Sequence, residues 1–468
     1  MACATATLIT SRNILETQAE GVSLARRTLS VSFLLISVGA WLMSLEGCGA
    51  TQDATPKLQH VVIIFQENRT PDNLFHNLPN ADIADSGVNS HGQTIPLTPI
   101  PLATFYDLDH SHAGFLAYYD GGKMDGADTR PALCPKHGPR CPSNPQFVYV
   151  PPEEVKPYFD LAEQYAFGDR MFQSNQGPSF PAHQYIISAT SAPAPASDLF
   201  AAENPVWRRG RPTNTYFSKS GCASAHGLVV NLINPSGRES SESFPCFDHR
   251  TLPDLLNVRR LSWRYYSVGD NWSELWNAPS AIRHLRFGSD WSNVMGRSTQ
   301  ILTDIAAGQL PAVTWVIPNG RYSDHPVAND GSGPSWVAAI VNAIGTSQYW
   351  SNTTIFITWD DWGGFYDHVP PPIYNSYEYG FRVPLLVVSP YAKPGYVSHI
   401  THDFGSILRF IEETFSLPSL GYADSRADDL SDCFDFAQPP LQFHTIAAPR
   451  SAKYFLEDDR PPTDPDDD

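Results

Sequence analysis

Positive charge is scarce in this chain. Its 468 residues carry 31 lysines and arginines against 49 aspartates and glutamates, a formal net charge of −18. That shortage argues against a nucleic-acid partner, because phosphate backbones are bound by basic patches. An anionic small molecule bound here needs a cation or a local positive group to offset the overall field. Closely spaced cysteines are missing too. None of the seven cysteines belongs to a C-x-x-C pair, which sets a cysteine zinc motif aside. There is no internal repeat, and the 41 prolines and 31 glycines follow no period. A collagen-like or linker chain is thereby excluded, and long structured loops are expected.

What is present suffices for a sizeable core: 42% of residues are hydrophobic and 12% aromatic, so disorder is not the default. The length admits one large domain or two to three average ones. Arg26-Arg27 precede an apolar stretch, Leu29 to Leu45, that ends at Leu45-Glu46-Gly47-Cys48. A basic flank, a short apolar run and small residues before the break mark residues 1–48 as an export leader. Leu-x-Gly-Cys also resembles a lipobox, which implies a lipid-anchored protein; cleavage nearby, or an uncleaved membrane anchor, are the alternatives. The expected location is therefore periplasmic, membrane-anchored or secreted. Export suits disulfides, and Cys134 with Cys141 and Cys222 with Cys246 each bracket a loop rich in Pro, Gly or Ser, leaving Cys433 over. Residues 49–57 read as a polar linker, and the acidic residues within 451–468 as a solvated tail.

Four short apolar runs read as buried strands: 58–65 (LQHVVIIF), 311–317 (PAVTWVI), 353–359 (TTIFITW) and 383–389 (VPLLVVS). Helical spacing is expected over 153–167, 335–344 and 404–415. Strands alternating with helices indicate an α/β fold with a mostly parallel sheet covered on both faces. Residues 195–310, richer in Ser, Asn, Arg and Trp, are expected to form a cap or insertion over the sheet edge within a catalytic domain of 58–450.

In open α/β sheets ligands bind outside the carboxyl ends of the strands. The first run is followed by Gln66-Glu67-Asn68-Arg69 and the third by Asp360-Asp361-Trp362-Gly363-Gly364. Two polar clusters far apart in the chain therefore fall at one edge. Carboxylates gathered there repel unless protonated or bridged by a cation. Oxygen ligands suit one divalent ion, Ca, Mg, Mn or another transition metal. The alternative at this point is that each acidic group caps the following turn or helix.

Glu67-Asn68-Arg69-Thr70-Pro71-Asp72-Asn73-Leu74-Phe75 resembles the E-N-[RH]-[ST]-F-D-x-x-F opening of the bacterial phosphoesterase family that contains phospholipases C and acid phosphatases, with Pro71 where Phe is usual. Asp107-Leu108-Asp109-His110 and then Gly121-Gly122-Lys123-Met124-Asp125-Gly126 are similar to its D-x-x-H and G-G-K-M-D-G segments, and Gly177-Pro178-Ser179 to its nucleophile turn. Asp324-His325-Pro326 and Asp360 to Val369 complete the series in family order. The resemblance implies an alkaline-phosphatase-like α/β/α sandwich and hydrolysis of a phosphate-ester small molecule or phospholipid head group. It implies a metal held by Glu67, Asn68, Ser179 and Asp360, with Asp361 at the ion or directly behind it. Ser179 would be the nucleophile, with His110 and His325 stabilising the phosphoryl oxygens and protonating the leaving oxygen. Lys123 and His183 would meet substrate, and Arg69 would bind phosphate or pair with a carboxylate. His110 is preferred to His112, His368 is expected behind the site, His402 at a helix cap, and Trp362 in packing. No G-x-S-x-G elbow surrounds Ser179, which disfavours a classical serine hydrolase. A sulfatase-like hydrolase on the same core, or a non-catalytic surface-binding lipoprotein, are the rival readings.

Overall fold

The β-branched and aromatic runs lie side by side. A computed structural model of the chain describes residues 57–208, 221–268 and 275–463; the leader, all but Lys57 of the linker, and residues 464–468 lie outside them. Eight strands form the central sheet: β1 His60–Gln66, β2 Ala166–Gly168, β3 Trp263–Tyr266, β4 Val294–Met295, β5 Val313–Val316, β6 Thr353–Trp359, β7 Leu385–Val388 and β8 Tyr396–Ser398. Their spatial order is β4-β3-β5-β1-β6-β7-β2-β8. Only β7 runs against the rest, pairing antiparallel with both β6 and β2. The expected α/β architecture, mostly parallel, is what forms.

The central strand β1 buries Val61 to Phe65 without exception, which requires cover on both faces. Five helices matter for the site: α1 His112–Tyr119, α2 Lys156–Gln164, α3 Ser179–Ser188, α4 Gly333–Gly345 and α5 Phe404–Thr414. On one face Phe65 meets the His183 ring of α3 and Phe404 of α5 edge-on. Trp359 lies in register with Gln66, so it points to the opposite face, where its ring meets Tyr158 of α2.

Residues 195–310 are divided rather than appended. Leu228–Ile233 pairs antiparallel with Glu239–Ser243, Phe200–Ala201 and Val206–Trp207 in a separate small sheet, but β3 and β4 continue the central sheet at its edge. The short Trp-Arg-Tyr-Tyr run carries too little apolar contrast to read as a strand until β5 lies beside it. The acidic tail also departs from expectation. Ala452–Glu457 is helical, and Phe455 is buried against Tyr322 and Trp336. The expected disulfides Cys134–Cys141 and Cys222–Cys246 are present, and Cys433 is free and buried. Among the described residues no helix is long and apolar enough to cross a membrane.

Because β7 runs backwards, its leading end meets the carboxyl ends of its neighbours. Arg382, fully buried just before β7, donates to the Asp367 carboxylate, to Asp72 Oδ1 and to the carbonyls of Asp82 and Asp169. It therefore ties together loops that follow β1, β2 and β6. His368 belongs to this network and not behind the candidate site. Its Nδ1 lies 2.8 Å from Asp72 Oδ2 and its Nε2 3.0 Å from Asp82 Oδ1. Burial alone would lower the His368 pKa, but the hydrogen bond and charge of Asp72, with Asp367, raise it to about 9. A folded pKa above the unfolded value of about 6.5 means that this stabilisation is complete below pH ~6.5 and is lost as pH rises through ~9. Urea titrations at several pH values are expected to show wild type losing stability across that window more steeply than His368→Gln; equal slopes would remove His368 from the account.

Candidate active site

Register brings the two acidic clusters together. Gln66 pairs with Trp359 at the carboxyl ends of β1 and β6, so the residues that follow continue side by side. The Asp360 amide donates to the Gln66 carbonyl at 2.9 Å and the Arg69 amide to the Asp361 carbonyl at 3.0 Å. The Asn68 amide donates to Asp360 Oδ1 at 3.0 Å. Asn68 reaches this position in the left-handed region, φ 60°, which asparagine tolerates better than most residues. Gly363 answers it from the other loop at φ 61°, where an added Cβ would stand 2.5 Å from the Asn68 carbonyl oxygen. The glycine is there because the two backbones touch.

Ser179 enters from the loop after β2, as the first residue of α3. Its hydroxyl donates to Asp361 Oδ2 at 3.3 Å, while Asp361 Oδ1 accepts from the Gly363 amide at 2.7 Å. Asp361 therefore orients the serine. Gln173, which the sequence reading passed over, locks the two loops: its amide donates to the Gly177 carbonyl and its carbonyl accepts from the Trp362 amide. One turn along α3 from Ser179, on the same face, His183 Nε2 lies 3.1 Å from Glu67 Oε1 and 3.9 Å from Asp360 Oδ2. Expected to touch substrate, His183 instead joins the acidic cluster. The i, i+4 spacing with Ser179 was the available signal.

Glu67, His183 and Asp360 are all buried and bring one donor atom each within 4.8 Å of the others. Asn68 Oδ1 and Asp360 Oδ2 are buried oxygens with no hydrogen-bond partner among the described residues. Buried carboxylates this close are costly without a counter-charge, and unpartnered buried oxygens are what a cation would satisfy. The residues present fit a divalent metal, and the imidazole extends the expected all-oxygen set.

His110 and His325 face each other across the site, their rings 6.1 Å apart. Asn68 Nδ2 lies 3.4 Å from His110 Nε2, and His110 Nδ1 2.8 Å from the Leu108 carbonyl. His325 follows Asp324, whose carbonyl accepts from the fully buried Arg69 guanidinium. Arg69 also donates to Asn73 and the Leu102 carbonyl, so its role is to position backbone. The Asp324 carboxylate accepts from Tyr158 and Trp359; burial pushes it up to about 6 against the pull of Arg69.

Lys123 is a correction. It is exposed and paired with Asp120, and no contact links it to the cluster. Its G-G-K-M-D-G segment ends α1: a Cβ on Gly126 would stand 1.9 Å from the Ala117 carbonyl oxygen, so the motif encodes a turn. His112 binds Glu239. Trp362 is buried among Phe115, Tyr118 and Phe381. A cleft of about 630 Å³ lined by His110, Arg130, Pro178, Glu203 and Asn204 opens beside the serine. Burial, reinforced by Glu239, pushes Glu203 up to about 8.

Residues 58–418 match the family model described as Phosphoesterase family. The chain belongs to the phosphoesterase family. Among curated relatives, this phosphoesterase is 24% identical over 449 residues to the non-hemolytic phospholipase C of Pseudomonas aeruginosa, covering 82% of this chain and 58% of that one. It is 23% identical over 482 residues to phospholipase C B of Mycobacterium tuberculosis, covering 89% and 85%. The chain thus spans little more than half the length of the Pseudomonas enzyme. A crystal structure of an alkaline phosphatase superfamily protein from Vibrio parahaemolyticus superposes with a TM-score of 0.37 at 9% identity, covering 79% of this chain and 70% of that one. The α/β class rests on the sheet itself.

Gly363→Ala is expected to lower the free energy of unfolding, measured by urea titration, by more than the ~1–2 kcal/mol that a left-handed residue costs, because it must also displace Asn68. Gly121→Ala has a similar φ of 64° but open space around it, and should cost only the conformational part. Equal losses would mean that the Gly363–Asn68 contact carries nothing.

Proposed function

We propose that this phosphoesterase hydrolyses phosphate mono- or diesters through a phosphoserine formed on Ser179, with a divalent metal held beside it. The observation that carries the reading is the hydrogen bond from Ser179 to Asp361 next to the buried Glu67, Asn68, Asp360 and His183 set. Those residues, with Ser179, would hold the ion. When bound, it supplies the positive charge that makes a serine hydroxyl nucleophilic and screens the phosphoryl oxygens. A mixed oxygen and imidazole set favours a transition metal over calcium.

The chain's own groups do the rest. Asp361 fixes the Ser179 hydroxyl and offers its proton an acceptor. Ser179 also opens the ten-residue helix α3, whose positive end favours the alkoxide and then the phosphoryl group. As the Ser179 oxygen bonds to phosphorus and the ester oxygen leaves, that oxygen takes a proton from an imidazole. His110 and His325, held by the Leu108 and Pro326 carbonyls, are placed for this. Water then attacks phosphorus, the bond to Ser179 breaks, and the serine oxygen regains a proton. The cleft beside His110 admits the ester. Export of the enzyme is supported by the leader sequence and by the two disulfides.

The decisive measurement is a panel of p-nitrophenyl phosphate, bis-p-nitrophenyl phosphate, p-nitrophenylphosphorylcholine and phosphatidylcholine, run across metals. Ser179→Ala should lower kcat on the order of 10⁴-fold or more, the scale at which removing a covalent nucleophile acts. No loss would end the phosphoserine reading, and activity confined to p-nitrophenylphosphorylcholine and phosphatidylcholine would assign the enzyme to choline phosphodiesters. Independently of turnover, a divalent metal at ~100 times its Kd should stabilise wild type by about 2.7 kcal/mol. Chelation should remove that gain, and Asp360→Asn should show less of it than wild type; a metal response equal to that of wild type in Asp360→Asn would place the ion elsewhere.

A further inference from the structure

Cys433, the cysteine left over from the disulfide pairs, is not isolated. It lies at the end of the short turn Ser431–Cys433, against β8 and the His402–Asp403 bridge that precedes α5. Asp403 and Ser406 form the capping box of α5, so His402, expected at that cap, is free for another task. Its ring is fully buried and turned toward Asp428, Asp432 and Ser398.

We propose that His402, Asp432 and Cys433 form a second metal site, for zinc or a similar thiophilic transition ion. The donor atoms of the three residues all lie within 4.8 Å of one another. Cys433 Sγ and His402 Nε2 each stand 3.7 Å from Asp432 Oδ1. Around tetrahedral zinc, with bonds of about 2.0 Å to N or O and 2.3 Å to S, ligand atoms stand about 3.3–3.5 Å apart. The two sides that meet at Asp432 Oδ1 exceed this by only a few tenths of an ångström.

Two further features fit a metal. His402 Nδ1, buried and without a hydrogen-bond partner among the described residues, lies 2.9 Å from Asp428 Oδ1, a carboxylate close enough to back the imidazole once Nε2 is bound to an ion. The Ser398 hydroxyl, 2.9 Å from His402 Nε2 and hydrogen-bonded to Asp432, sits where a fourth ligand or a bound water belongs. Asp428 and Asp432 bring two negative charges to a pocket whose nearby cation, Lys393, binds the Asp432 carbonyl. A hydrogen-bond net alone gives no role to sulfur, whose one contact is weak at 3.7 Å. As a thiolate it is a strong ligand. Asp428 and Asp432 keep partial exposure, so an ion has access.

The chain has no short motif for this site because His402 lies far in sequence from the adjacent Asp432 and Cys433. Cobalt(II) reports it. Titrated into metal-free full-length protein, cobalt is expected to produce a thiolate charge-transfer band in the near ultraviolet. The band should vanish in Cys433→Ser and persist in Asp360→Asn, which separates this site from the one beside Ser179. Asp428→Asn, a milder change that decides the matter if Cys433→Ser does not fold, should weaken zinc binding about 10–100-fold in chelator competition. Absence of the band in wild type, its survival in Cys433→Ser, or zinc affinity unchanged in Asp428→Asn would each overturn the proposal.

Discussion

Everything at the candidate site depends on the parallel, in-register pairing of β1 with β6. The ladder runs from His60 opposite Thr353 to Gln66 opposite Trp359, and the chain on both sides leaves the sheet at the same level. Main-chain hydrogen bonds from Asp360 to Gln66 and from Arg69 to Asp361 then bracket Glu67 and Asn68, and the Asn68 amide binds the Asp360 carboxylate. A slip of one residue would turn every side chain of β1 to the other face. The core and the site are therefore specified by one ladder.

That arrangement concentrates charge where water is absent, which has to be offset. Glu67, Asp360 and Asp361 are fully buried, and each isolated ion would be expensive there. Two buried arginines stabilise the periphery instead of the centre. Arg69 grips the carbonyls of Leu102 and Asp324, and Arg382 grips Asp72, Asp367 and two carbonyls. Neither arginine hydrogen-bonds to the Glu67, His183 and Asp360 cluster among the described residues, where His183 lies against both carboxylates. The loops are hydrogen-bonded to one another through Gln173, Gly363 and the Arg69–Asp361 main chain, the kind of preorganisation that electrostatic catalysis requires.

Main-chain geometry also explains why several motifs take the form they do. Asp-Asp-Trp-Gly-Gly needs its first glycine because the Asn68 backbone approaches within the radius of a methyl group. Gly-Gly-Lys-Met-Asp-Gly needs its last glycine for the return against α1. Its lysine, the residue most readily read as a phosphate ligand, points to solvent. A motif preserves whichever residues the backbone requires, and those near the chemistry are a subset.

The apolar runs by themselves determined β1, β5, β6 and β7, the parallel class, and the edge at which Glu67 and Asp360 gather. Those features are local: runs of β-branched residues bury themselves, and their ends follow. The ordered motifs named Ser179, His110 and His325, and cysteine spacing with loop composition identified both disulfides. Only the tertiary structure decided that Trp263–Tyr266 is a strand, since its pairing with β5 is what buries it. Only the tertiary structure turned His183 toward Glu67, set Gln173 between two loops, sent Lys123 to the surface, and gathered His402, Asp432 and Cys433. These are contacts between segments far apart in sequence. Their geometry is set by how helices and loops pack on the sheet, a constraint that no window along the chain contains.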